Sequence, residues 1–203
     1  APFMYLLMGE EKALLIDAGA TANPDWFPLR ETVDGVLARW ADANGTGMPE
    51  LIVMTTSDAP AQVDGLGQFA DRPDTTVIEP TVRAVRRALD LDDWPNDVGV
   101  VDLGGRVLTV LPTPGVADMA LSIYDPYTDF LFTGTTFLPG RIVIRDFWAY
   151  DASIEKLRDF AATHPVKWVM GGQIDMRASP GQDYRLRSNY RPNEHDLQMS
   201  PAH

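Results

Sequence analysis

Residues 52–69 read "IVMTTSDAPAQVDGLGQF". The apolar run Leu51–Met54 reads as a strand that ends in a short polar loop, and the loop closes on Gly65-Leu66-Gly67 and a helix near 65–70. A loop at the end of a buried strand is a usual seat for binding and catalytic side chains. This one carries a single charged residue between Thr55 and Val63, Asp58, and no histidine.

On either side the chain alternates strands with helices. Upstream, Met4–Met8 and Ala13–Ile16 flank the charged turn "GEEK" as a hairpin. Asp17-Ala18-Gly19 then ends the second strand in a loop. Leu29, Val33, Val36, Leu37 and Trp40 recur at helical spacing within a helix predicted over 24–43 and stopped by Asn44-Gly45. Downstream, 75–79 predicts a short strand, and Pro80 suits the first position of a helix carrying Val82, Val85 and Leu89. The second half restarts with a strand and turn over 106–115. A hairpin over 120–134 turning at 125–129 follows, and "GRIVIRDF" (140–147) predicts a further strand. Asp151 is placed to cap a helix with Ile154, Leu157, Phe160 and Ala161 on one face. A last strand is expected within 166–172. Strand-rich blocks followed by helices, twice over, predict two packed sheets with helices on both outer faces. The tail over 176–203, rich in Pro, Arg, Asn and Ser, is expected to wrap the surface.

At 203 residues the chain suits a single domain spanning 1–203 with room for a sizeable core. Its formal charge of −12 argues against nucleic acid and anionic membrane surfaces as partners. No apolar run reaches the roughly 20 residues of a membrane span. The start lacks a basic leader, which favours the cytoplasm over export, while the alanine at position 1 points to a trimmed start and keeps an export signal open. Absence of cysteine removes disulfides, thiolate ligands and thiol nucleophiles together.

The order of elements and loops resembles the metallo-β-lactamase superfamily, and its small glyoxalase-II-like hydrolases most of all. "ALLIDAG" is similar to that family's second strand with its terminal Asp-x-Gly. "PTPGVADMALSIYDPYTDFLFTGTTFLPGR" is similar to its T-P-G-H, hairpin and T-G-D stretch, "WVMGGQID" to its strand ending in G-H, and "YRPNEHDLQM" to its C-terminal segment. The resemblance implies a four-layer αββα sandwich. It also implies a metal loop written T-H-x-H-x-D-H. Aligned on Thr56, Pro60 and Gly65-Leu66-Gly67, the first histidine is Ser57, the second Ala59, the aspartate Ala61 and the third histidine Gln62. A one-residue shift puts Thr56, Asp58, Pro60 and Ala61 there and restores no histidine. The T-P-G-H histidine is Val116, the T-G-D aspartate is Thr135, and the G-H histidine is Gln173. Zinc takes imidazole, thiolate or carboxylate donors, and none of these seven side chains supplies one. Without zinc, no bound water is brought to a pKa near 7. The reading is therefore no metal and no cofactor. His164, His195 and His203 lie away from the motif and read as solvated or locally bonded.

All seven ligand positions are replaced while Gly65, Gly67, Gly115, Gly134, Gly171 and Gly172 persist, each read as serving a tight turn. That pattern suggests deliberate removal of the site, or long adaptation to a metal-free pocket, and its completeness favours engineering. Three functions remain open. The first is a non-catalytic scaffold with a small-molecule pocket lined by Ser57, Gln62, Val116, Thr135, Gln173 and Trp148, in which the space left by the metals is filled by water or ligand. The second is a metal-independent enzyme with Asp58 as general base, its pKa raised if it is buried. The third is a protein-interaction module, ranked last because the five tryptophans form no exposed stripe in the sequence. Phe147, Trp148 and Tyr150 read equally as a lip over the site or as core. Asp17 is expected to hold loop amides, and Asp58 with Asp175 makes a poor residual cation site.

Overall fold

Alternation along the strands builds two sheets that share one dry interior. The structure is a computed structural model describing residues 2–179, 181–185, 188 and 190–202. Strands β1 (Tyr5–Met8), β2 (Lys12–Ile16), β3 (Glu50–Met54) and β4 (Thr75–Val77) form the first sheet in chain order. β1 and β2 are the antiparallel hairpin, whereas β2, β3 and β4 run parallel. The second sheet has the order β10-β9-β8-β7-β6-β5, from β5 (Gly99–Asp102), β6 (Val107–Pro112), β7 (Leu121–Asp125), β8 (Phe130–Gly134), β9 (Trp168–Gly171) and β10 (Gln198–Met199). It is antiparallel except where β9 runs parallel to β8.

Leu14, Ile16 and Met54 of the first sheet meet Leu108, Val110, Leu121, Ile123 and Phe132 of the second in the main core. The alternate residues Ala13, Leu15, Leu51 and Val53 face outward, where helix α1 (Leu29–Asn44) covers them with Leu29, Val33 and Leu37. Helix α4 (Phe147–Thr163) does the same for the second sheet, setting Leu157 against Leu111, Tyr124 and Leu131. Helix α2 (Pro60–Val63) continues into a 3-10 turn over 64–69. Helix α3 (Val82–Leu89) lends Val85 and Leu89 to the main core. The result is the expected αββα sandwich, in which each sheet buries one face on the other and one under helices. No helix among the described residues is long and apolar enough to cross a membrane.

Several local expectations fail for definable reasons. Residues 140–147 form no strand: the Arg145 and Asp146 amides donate to the Gly115 carbonyl instead of to a sheet. Asp146, not Asp151, caps α4, its Oδ1 accepting the Ala149 N–H at 3.1 Å. Likewise Thr81, not Pro80, begins α3, its hydroxyl accepting the Ala84 N–H at 3.2 Å. Residues 24–26 form a turn ahead of α1, and the helix starts only after Pro28. Strand β5 was not anticipated: its four residues alternate buried and exposed, too short a pattern to read beside the turns around it. In the tail, described residues add β10 and the bridges Met176–Asp183 and Arg177–Glu194.

Candidate functional site

The parallel strands β2 and β3 release their loops at one edge, and β6, β8 and β9 end at the same edge of the facing sheet. A bond from the Leu121 amide to the Thr56 carbonyl, 2.9 Å, joins the two sheets there. The five motif loops, 17–21, 55–62, 113–117, 133–137 and 172–175, therefore converge.

Asp17 organises this edge. It sits in the left-handed region at φ 65°, fully buried. Its Oδ1 accepts the Thr56 N–H at 2.6 Å, and its two oxygens lie 3.0 and 2.9 Å from the Thr56 hydroxyl. Asp17 thus holds the amide and hydroxyl of one loop residue, Thr56. Burial pushes its pKa up to about 7, against the opposing pull of the Thr56 backbone and hydroxyl bonds. Above it, Tyr5 donates its hydroxyl to the Gly171 carbonyl at 2.5 Å, and burial, with the Asp17 charge behind it, drives the phenol pKa upward. Gly134 is required by close approach: a Cβ there would stand 2.1 Å from the Thr56 hydroxyl oxygen, at φ 52°. Gly65 is pinned similarly, 2.0 Å from the Ala18 carbonyl, whereas Gly67 meets nothing and needs no such explanation.

Of the seven positions that the sequence aligns with metal ligands, Ser57, Gln62 and Val116 are buried, and Ala59, Ala61, Thr135 and Gln173 are half-buried. Ser57 and Gln62 are fully buried, with the Ser57 hydroxyl 3.5 Å from Gln62 Oε1 and accepting the Ala59 N–H at 3.3 Å. Gln62 Nε2 and the Thr55 hydroxyl are buried without a hydrogen-bond partner among the described residues. Val116 has joined a small apolar cluster with Ala117, Ala120, Ile142 and Tyr150. Ser57, Gln62 and Val116 are thus all packed away from solvent. Thr135 and Gln173 are half-buried, and Gln173 donates from Nε2 to Asp175 at 2.8 Å. Beneath them lies a hydroxyl network not singled out in the sequence: Thr113 to Ser122 at 3.1 Å and Thr113 to Thr136 at 3.3 Å. Only the alternation of "LPTPG" and "ALSIY" onto one outward face could have pointed to it.

Asp58 is exposed, and its carboxylate lies 3.7 Å from the Arg145 guanidinium. The burial expected of a general base is missing. Asp175 is held by Arg191 at 3.1 Å, so both carboxylates of the imagined cation site face guanidinium groups. Phe147 and Trp148 are exposed and packed edge to face at 5.5 Å, while Tyr150 is half-buried and donates to the Thr136 carbonyl at 3.2 Å. The first two are therefore not core. His164 stacks on Phe160 at 3.8 Å with Nδ1 beside the Phe160 carbonyl, and His195 Nδ1 lies 2.7 Å from the Asp196 carbonyl. His203 lies outside the described residues.

Two sheets with these connections, flanked by helices and carrying all motif loops at one edge, define a metallo-β-lactamase-type sandwich. The family model for the metallo-beta-lactamase superfamily matches residues 29–171, and the chain belongs to that superfamily. Similar solved structures include a metallo-beta-lactamase from Pontibacter korlensis (17% identity, TM-score 0.58, 84% of this chain and 78% of that one). The archaeal superfamily protein ST1585 from Sulfolobus tokodaii is 16% identical, with a TM-score of 0.55 over 99% of this chain and 76% of that one. ETHE1 from Myxococcus xanthus is 21% identical, with a TM-score of 0.58 over 99% and 75%. At these identities they share the fold and license nothing finer. No curated protein matches the chain.

The donor set does not fit the metals the family name implies. Ala59, Ala61 and Val116 offer no donor atom, and Ser57, Gln62, Thr135 and Gln173 offer only neutral oxygens, weak toward zinc without accompanying carboxylates. Among the described residues no three His, Cys, Asp or Glu side chains are grouped to hold an ion.

Proposed function

We propose that this protein is a metal-free member of its superfamily in which the former catalytic centre serves as a neutral, hydrogen-bonding small-molecule site and not as a zinc hydrolase. The observation that carries this reading is the chemistry of the seven positions: each lacks an imidazole, a thiolate or a carboxylate, while the loops around them keep their clamps. Thr135 and Gln173, both half-buried, are the groups a ligand would reach, whereas Ser57, Gln62 and Val116 are buried. Such a site suits an uncharged ligand with hydrogen-bonding groups, because Asp58 and Asp175 are each matched by an arginine. Removal of the ligands by design or by long adaptation leads to the same chemistry. The general-base reading of Asp58 finds no geometric support, since its carboxylate is exposed and 3.7 Å from the Arg145 guanidinium.

The test is metal content together with turnover. Protein produced in zinc-supplemented medium should retain well under one equivalent by elemental analysis, and isothermal titration with zinc should show no binding in the micromolar range. Ester, thioester and lactone panels should be hydrolysed no faster than buffer. Stoichiometric zinc accompanied by chelator-sensitive hydrolysis would overturn the proposal.

A further inference from the structure

The segment that was expected to be a strand, 140–147, leads instead into the most apolar exposed stretch of the described surface. Val143 is 70% exposed, Ile144 40%, Phe147 60% and Trp148 80%. Side chains of this size together present on the order of 500 Å² of apolar surface. That is near the upper end of what a monomer shows in one patch. It also matches the apolar share, about 65%, of the roughly 800 Å² that each partner of a standard interface buries.

The stretch is held, not loose. Arg145 and Asp146 donate their amides to the Gly115 carbonyl at 2.8 and 3.0 Å. Tyr150 follows, its backbone so close that a Cβ on Gly115 would lie 2.4 Å from its Cα. An ordered aromatic pair loses little side-chain freedom on docking, which is the property of an interface anchor.

Charge selects the occupant. The molecule carries −12 overall, so two copies repel unless they meet where charge is locally cancelled. Beside the patch, Arg141 lies 3.4 Å from Asp183 and Arg145 lies 3.7 Å from Asp58, while Asp146 is occupied in capping α4. A strongly acidic or basic partner would find no complementary field here; a second copy finds a surface equal to its own. We propose that two copies of this chain associate about a two-fold axis through Val143, Ile144, Phe147 and Trp148. The interface is isologous, each aromatic pair packing on its counterpart. This inference stands apart from the reading of the pocket.

Sedimentation velocity of the full chain, from about 1 to about 100 micromolar, tests it. Dimer is expected, and it should tighten as salt rises from about 0.1 to about 1 M, where repulsion between the acidic bodies is screened. Phe147→Glu and Trp148→Glu should each weaken the dimer at least thirtyfold, roughly the loss expected for an interface anchor. Met48→Glu, at an exposed methionine remote in sequence from the patch, should leave it intact. Matching far-ultraviolet dichroism spectra confirm that the variants fold. A wild-type monomer throughout the range overturns the proposal, as does a dimer indifferent to both patch variants.

Discussion

A fully buried carboxylate holds the opening loop, and its titration should be visible in stability. Asp17 has its pKa pushed up to about 7 from an ordinary 3.8, so the folded state keeps a proton that the unfolded chain releases. Between about pH 4 and pH 7 the folded state therefore binds more protons, and stability falls as pH rises through that window, levelling off above it. Asp17→Asn keeps an oxygen for the Thr56 amide and removes the ionisation. Denaturant unfolding at pH 5 and pH 8 should show the wild type losing stability relative to the variant as pH rises; an identical pH response in both would refute the assignment. Gly134 makes a second residue-scale case. Alanine there must occupy a left-handed conformation and displace the Thr56 hydroxyl, so Gly134→Ala should cost about 2 kcal/mol or more, read as a lowered melting temperature.

Among the elements, the joints decide more than the strands themselves. Arg106 enters β6 and donates to Asp125 at 3.1 and 2.5 Å, and to the Met8 carbonyl of β1 at 3.0 Å, so one guanidinium bridges the two sheets. Burial by itself would raise the Asp125 pKa, but its bonds from Arg106, Thr128 and the Tyr127 amide outweigh burial and hold it below the ordinary value. Arg106→Met leaves a buried carboxylate without its counter-charge and should cost about 3 kcal/mol at neutral pH. Because a depressed carboxylate stabilises above its unfolded pKa, the gap between variant and wild type should narrow as pH falls below the ordinary carboxylate range. Chevron or equilibrium unfolding at pH 7 and pH 3 measures this, and a gap constant with pH would contradict the role given to Asp125. Lys156 makes a comparable tie from α4, donating to the Pro95 and Pro112 carbonyls at 2.6 and 2.9 Å, although burial lowers its pKa.

For the whole molecule, the sequence made the architecture legible where apolar periodicity and turn chemistry agreed, as at β1–β2, β7–β8 and α1. It misled where a local pattern lacked its partner. "RIVI" has the composition of a strand, yet among the described residues it pairs with neither sheet, the chain being turned instead onto the Gly115 carbonyl, and Val143 and Ile144 face solvent. The caps were misplaced because Asp146 and Asp151 both precede apolar residues at helical spacing, and only the backbone path shows which one turns into the helix. In the site, the loss of donors could be read directly, since residue identity alone settles whether an imidazole is present. The burial of Ser57, Gln62 and Val116 could not, because packing depends on elements distant in the chain. The five tryptophans gave no stripe in the sequence, but Trp26 and Trp148 both prove exposed at 80%, and that exposure brings association back into consideration.

The bond between the Leu121 amide and the Thr56 carbonyl has a consequence for dynamics. Thr56 is gripped through its N–H and hydroxyl by Asp17 and holds β7 through its carbonyl, so one residue reports on both halves of the sandwich. Hydrogen exchange at the Leu121 amide should accelerate as Asp17 gives up its proton, beyond the intrinsic rise with pH, and Asp17→Asn should abolish the excess. A single NMR cross-peak would then read the protonation of a buried acid in the opposite sheet.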